Sequence, residues 1–143
     1  MTIKQLSIFV ENKAGTVAEI TKKLAEAGVS IRALSVADTQ EFGILRLIVD
    51  NVEKAKESLS ESECVVSVTK VIGVEIPDVA GGLSAVLQLM SKNNINVEYL
   101  YAFITISGKH AYVVLRVEDN EKASKILLEN GVKLVSQADI DAL

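Results

Sequence analysis

Apolar and polar positions along this chain keep two rhythms, and the rhythms change over in a fixed order. Leu6-Ser7-Ile8-Phe9-Val10 alternates around the polar Ser7, which predicts a strand. From Thr16 to Ala27, the residues Val17, Ile20, Leu24 and Ala27 recur on one helical face, and Gly28 supplies a C-terminal stop. Val29 to Asp38 alternates again and reads as a strand. Thr39-Gln40-Glu41-Phe42-Gly43 reads as a turn, and the nearly all-apolar Ile44–Val49 as a central strand. Asp50-Asn51 supplies a cap for a second helix with Val52, Ala55 and Leu59 facing inward. Val65 to Val71 closes the unit as a strand.

The whole pattern then recurs. Shifted by 66 positions, Gly15 falls on Gly81, Asn12 on Asp78, Val17 on Leu83, Ile20 on Val86 and Leu24 on Met90. After the next hairpin the shift becomes 68, and Glu53-Lys54-Ala55 falls on an identical Glu121-Lys122-Ala123. Two extra residues suit a hairpin tip, where insertions are tolerated. The second unit reads as strand Val71–Ile76, helix Leu83–Lys92, long strand Ile95–Ile106, turn Ser107-Gly108-Lys109, strand His110–Val117, a helix capped by Asp119-Asn120, and strand Val132–Ser136. The tail Gln137–Leu143 is open between fraying, extending the strand and forming a helical turn. The order βαββαβ, twice, predicts an α+β protein of two ferredoxin-like repeats, residues 1–71 and 72–143. Each is an antiparallel sheet with both helices on one face.

Two consequences follow. Between Cys64 and Ile76 the only turn signal is Gly73, so the last strand of one repeat runs almost directly into the first strand of the next. The repeats should therefore be tightly coupled. One face of each sheet also lacks a helix cover. The other repeat or a second chain is available to it, and a homodimer is expected on that ground.

The candidate chemistry lies in two turns. Asn12-Lys13-Ala14-Gly15-Thr16-Val17 and Asp78-Val79-Ala80-Gly81-Gly82-Leu83 each leave a strand and open a helix. A helix start presents N–H groups without intrahelical partners and the positive end of a dipole, which suits a carboxylate or other anion. These turns are the candidate small-molecule sites, for a free amino acid. Asn12 and Asp78 also read as ordinary cap or turn residues, and both glycines as a need for positive φ. Gly82 beside Gly81 weakens a helix start, so a close ligand approach is somewhat favoured at the second turn. Tyr99 and Tyr101 read as interface packing ahead of ligand walls. His110 reads as a solvated strand-end residue, and Cys64 as a small buried hydrophobe.

Composition narrows the classes. A net charge of −4 without a Lys/Arg cluster argues against a nucleic-acid footprint. No apolar run approaches the roughly 18–20 residues that span a bilayer. The N-terminus lacks a signal-peptide pattern, and the lone Cys64 has no internal disulfide partner. A cytoplasmic protein is expected. With one His, one Cys and no Gly-rich phosphate loop, neither catalysis nor a metal or cofactor is expected.

Asn12-x-Ala14-Gly15-x-Val17 and Asp78-x-Ala80-Gly81-x-Leu83, each between strand and helix, resemble the ACT domain. That family commonly has Asn or Asp, any residue, Pro, Gly, any residue, then Leu or Val at this turn. Ala27-Gly28-Val29-Ser30-Ile31 and Asn93-Asn94-Ile95-Asn96-Val97 resemble its helix end and second strand. The resemblance covers essentially the whole chain, twice, and departs from the family at Ala14 and Ala80, where proline is usual. It implies a non-catalytic regulatory module that binds amino acids between paired domains and passes the signal to a partner enzyme. Lys13, Thr16, Val79, Gly82 and the glycines would then frame the ligand. Asn12 and Asp78 would meet its ammonium group, and Ser30 and Asn96 would match a position that reaches the ligand across the interface. Two other classes stay open: an interaction module whose sites have lapsed, motivated by the missing prolines, and an RNA-binding domain on the same plan, opposed by the acidic balance.

Overall fold

The computed structural model describes residues 1–104 and 110–143. The expected turn at 107–109 and the last residues of the expected long strand lie outside the described residues. The first repeat runs β1 (Ile3–Glu11), α1 (Thr16–Glu26), β2 (Ile31–Asp38), β3 (Phe42–Val49) and α2 (Val52–Ser58). Then β4 (Val65–Pro77) serves both repeats, followed by α3 (Gly82–Lys92), β5 (Val97–Ala102), β6 (His110–Val117), α4 (Asn120–Glu129) and β7 (Lys133–Val135). The tail forms a short helix, α5 (Gln137–Ala142), fixed by a capping box between Ser136 and Asp139. Phe42 and Gly43 belong to β3 rather than to the turn, because the Thr39 backbone N–H donates to the Phe42 carbonyl at 2.7 Å and closes the hairpin early. The caps read from sequence are present, with Asn51 and Asp119 accepting from the N–H of Lys54 and Lys122.

The expected near-fusion of strands is complete. β4 is one strand of 13 residues. Its residues 65–71 pair antiparallel with β1, and residues 72–77 pair with β6. The strand path is β2-β3-β1-β4-β6-β5, with β7 also on β4, and all pairs are antiparallel. The path bends back on itself, so that Ala33 of β2 bridges Phe103 just past β5 and the Ile104 N–H donates to the Arg32 carbonyl at 2.7 Å.

Strand alternation sorts the side chains into three apolar clusters. Leu6, Ile8, Leu45 and Leu47 meet Ile20 and Leu24 of α1 and Val52 and Ala55 of α2. Ile72, Val74 and Leu115 meet Val86 and Met90 of α3 and Leu127 of α4. The alternate positions Ile3, Ile48, Val71, Tyr101, Phe103, Val114 and Val135 form a third cluster, joined by Ile140 of α5. The faces without helices therefore cover one another, giving a four-layer α/β/β/α stack.

That middle layer holds a polar lock. Gln5 is fully buried, and it donates to the Tyr99 hydroxyl at 2.9 Å and accepts from the Tyr101 hydroxyl at 2.6 Å. Arg46 lies 3.7 Å from the Tyr99 ring centroid. The tyrosines belong to the inter-repeat packing. Burial pushes the Tyr101 hydroxyl well above the ordinary tyrosine range. Folding thus favours the neutral phenol, so this contribution is intact below about pH 10 and is lost as pH rises past it. Urea titrations should show stability declining above about pH 10, with a shallower decline in Tyr101→Phe. That variant should also lose about 1–3 kcal/mol at neutral pH, because Gln5 is left with an unpaired buried oxygen. An equally steep decline in the variant would assign the effect to other groups.

Candidate functional site

Both strand-to-helix turns use glycine as the helix cap, in the left-handed region: φ is 89° at Gly15 and 89° at Gly81. An L side chain is strained there, which accounts for glycine at both. Among the described residues no side chain caps the first N–H groups of α1 or α3. Asn12 and Asp78 are therefore not the helix caps; Asn12 instead donates its side-chain amide to the Thr39 carbonyl at 3.1 Å, tying the turn to the β2–β3 hairpin. The Thr16 N–H reaches the Lys13 carbonyl at 3.4 Å, and the Glu19 N–H reaches Gly15 at 2.9 Å. Among the described residues no acceptor faces the N–H groups of Val17 and Ala18. These donors remain available, at the positive end of an 11-residue helix.

The first turn opens onto a cavity of about 590 Å³, within the usual range for a small-ligand site. Lys13, Ala14, Gly15 and Thr16 form its floor. Glu19, Ile20 and Lys23 rise along one side of α1, because residues three and four apart share a helix face. Ser62, Glu63 and Cys64, between α2 and β4, form the opposite wall, and Phe9, Phe42 and Val65 form an apolar rim. Lys23 donates to Ser62 Oγ at 2.8 Å across the gap. The Thr16 hydroxyl oxygen is shut from solvent and has no partner among the described residues. Cys64, expected to be buried, is half-buried against the first core and lines this cavity.

The second turn opens onto the duplicate cavity, of about 320 Å³. Gly82 alone of that turn lines it, together with Glu75, Pro77, Ala85, Leu89 and Val132. A Cβ on Gly82 would stand 2.3 Å from the Pro77 carbonyl oxygen, so the protein's own backbone fills the space above this glycine. Close packing, not an approaching guest, accounts for Gly82. On the rim, Glu75 stands where the first repeat has Phe9, and it bonds Lys133 at 2.9 Å and His110 at 3.2 Å. The side-chain hydrogen bond to Glu75 holds the Lys133 ammonium pKa up.

Of the sequence candidates, Lys13, Ala14, Gly15 and Thr16 meet in the first cavity and Gly82 in the second. Asn12, Val17, Asp78, Val79, Ala80, Gly81 and Leu83 stay in the turns without lining either. Ser30 lies at the far end of α1, where its N–H donates to Asp50 at 2.9 Å. Asn96 lines a separate polar groove with Lys70, Glu98 and Glu118. Sequence reading missed Phe9, Glu19, Lys23, Ser62, Glu63 and Val65. Setting the repeats in register would have found two of them: Glu19 and Lys23, like the candidate Thr16, fall on residues without a polar side chain, Ala85, Leu89 and Gly82.

Two βαββαβ units packed by their bare sheet faces, each with a glycine-capped helix beside a cavity, define a paired ferredoxin-like protein. The ACT domain pair model matches residues 1–143, and the chain belongs to that family. A crystal structure of protein BT0572 from Bacteroides thetaiotaomicron is similar at a TM-score of 0.92 and 37% identity, covering 100% of this chain and 98% of that one. The ligand-free regulatory subunit of aspartate kinase from Thermus thermophilus shares the fold, with a TM-score of 0.66, 18% identity and coverage of 90% and 92%. That from Thermus flavus gives 0.59, 15%, and 90% and 93%. No curated protein matches the chain. No helix of the described residues is long and apolar enough to cross a membrane.

The two turns should respond differently to an added methyl. At Gly15 a Cβ meets open space, so Gly15→Ala should cost only the left-handed strain, about 1–2 kcal/mol. At Gly82 it meets backbone, so Gly82→Ala should cost roughly 3 kcal/mol or more. Urea midpoints of both variants check this; equal losses would contradict the packing account of Gly82.

Proposed function

We propose that the protein is a non-catalytic sensor that binds a free amino acid at the first turn and relays occupancy to a partner enzyme. The observation that carries this is the unpaired first turn of α1 beside the cavity. A carboxylate placed there meets free N–H donors, helix dipole and the Lys13 and Lys23 ammonium groups, while Glu19 and Glu63 can take an α-ammonium. Family membership supports the same reading, and the Thermus thermophilus protein that shares the fold is a regulatory subunit of aspartate kinase. Ligand should raise the melting temperature by mass action, equivalent to about 2.7 kcal/mol at one hundred times Kd. A screen of the twenty amino acids giving no thermal shift and no calorimetric heat would defeat it and leave the lapsed-site interaction module.

The assembly is a homodimer under the same reading. The bare sheet faces are already used within the chain, so the original reason for a dimer is gone, but the cavity rim supplies another. Phe9, Phe42 and Val65 are 49%, 55% and 64% exposed and stand together at the ends of β1, β3 and β4. A second copy seated there would cover them and close the open side of the cavity. Light scattering on size-exclusion fractions should give twice the 15.4 kDa chain mass at micromolar concentration, and Phe9→Ser should shift it toward monomer. A clean monomer for the unaltered chain would remove the dimer.

A further inference from the structure

Duplication has carried one cavity to two places, but its chemistry has been kept in only one. On α1, Thr16, Glu19 and Lys23 line the first cavity, the last two with a carboxylate and an ammonium. Sixty-six positions on, Gly82, Ala85 and Leu89 of α3 have no such groups, and the helix lines the second cavity with Gln88 and Lys92 but no carboxylate. On the loop wall, at a shift of 68, Glu63 and Cys64 give way to Gly131 and Val132, while Ser62 gives way to a polar Asn130. Volume falls from about 590 to about 320 Å³. The rims differ in the opposite direction. The first is apolar, with Phe9 and Val65. The second is charged, with Glu75 and Lys133 already bonded to one another at 2.9 Å.

A free amino acid needs donors for its carboxylate and acceptors for its ammonium within a few ångströms of one carbon. The first cavity offers both signs, plus a Thr16 hydroxyl that is sequestered and unpartnered among the described residues. Among the described residues the second offers Gln88 and Lys92 on its helix and Asn130 on its loop, but the one carboxylate that lines it, Glu75, is already bonded to Lys133 and His110, and the Pro77 carbonyl stands over Gly82. Desolvating a zwitterion there would leave its ammonium without a free carboxylate. We propose that the duplicated site has divided its roles: the chain binds one amino acid, in the first cavity alone, read by Thr16, Glu19 and Lys23, with the apolar rim selecting a ligand with an apolar side chain. The second, smaller cavity takes no amino acid. This rests on the amino-acid reading of the first turn.

Isothermal titration of the full chain with leucine, isoleucine, valine, phenylalanine, aspartate, lysine and serine tests it. One equivalent per chain is expected, with the best apolar amino acid at least tenfold tighter than any polar one. Transplanting the second repeat's residues (Thr16→Gly, Glu19→Ala and Lys23→Leu together) should weaken binding at least a hundredfold. Should that variant fold poorly by circular dichroism, Glu19→Ala alone should weaken binding about tenfold. Ala85→Glu with Leu89→Lys should leave the stoichiometry at one. Two equivalents per chain, undiminished affinity in the transplant or in the folded single variant, or a preference for polar side chains would overturn the division while sparing the amino-acid reading. Silence from every amino acid would overturn both.

Discussion

Everything in this molecule depends on a single continuous strand. β4 passes from the edge of the first sheet to the interior of the second without a break, exchanging β1 for β6 between Val71 and Ile72. Thirteen extended residues leave no hinge, so the bare sheet faces have one way to meet. They bury Ile3, Ile48, Val71, Tyr101 and Val114 against one another, each burial worth about 1.5–3 kcal/mol. The Gln5 network sits inside this layer and fixes how the sheets register, since a slipped pairing would strand its buried amide. The polar ends of strands and the starts of helices are left outside, where the turns are.

The rigidity of that core is what lets the turns diverge. Both repeats must keep Gly15 and Gly81, because both chains tighten into the left-handed region before coiling. Beyond that point nothing in the fold obliges the cavity walls to match. One repeat has kept polar groups on its helix and an apolar rim. The other has filled its floor with the Pro77 carbonyl and bonded its rim into the Glu75–Lys133–His110 cluster. Twofold architecture and onefold chemistry are compatible once packing and recognition use different residues.

The repeat, the element order and the glycine turns were legible in the sequence, because each rests on a local rule: period 2, period 3.6, or a residue without a Cβ. The fused strand was legible too, from missing turn residues between Cys64 and Ile76. The α5 helix is not legible by pattern, since six residues carry too little periodicity; only the Ser136–Asp139 box marks its start. The cavity walls were hidden for a different reason. Ser62, Glu63 and Val65 reach the first turn only through the β1–β4 pairing, which no local pattern states. At Gly82, where the sequence somewhat favours a close ligand approach, the structure places a carbonyl five residues earlier over the glycine, visible only once the turn has its shape.

The central claim is that backbone donors at the start of α1 hold an anionic group of a small ligand. Two-dimensional amide NMR, recorded while leucine is titrated into the full chain, observes those donors themselves. The account requires the largest shifts at Gly15, Thr16, Val17 and Ala18, with smaller ones at Ser62 to Val65 across the cavity. Shifts confined to Gly81–Ala85, or scattered without a maximum at either turn, would contradict it.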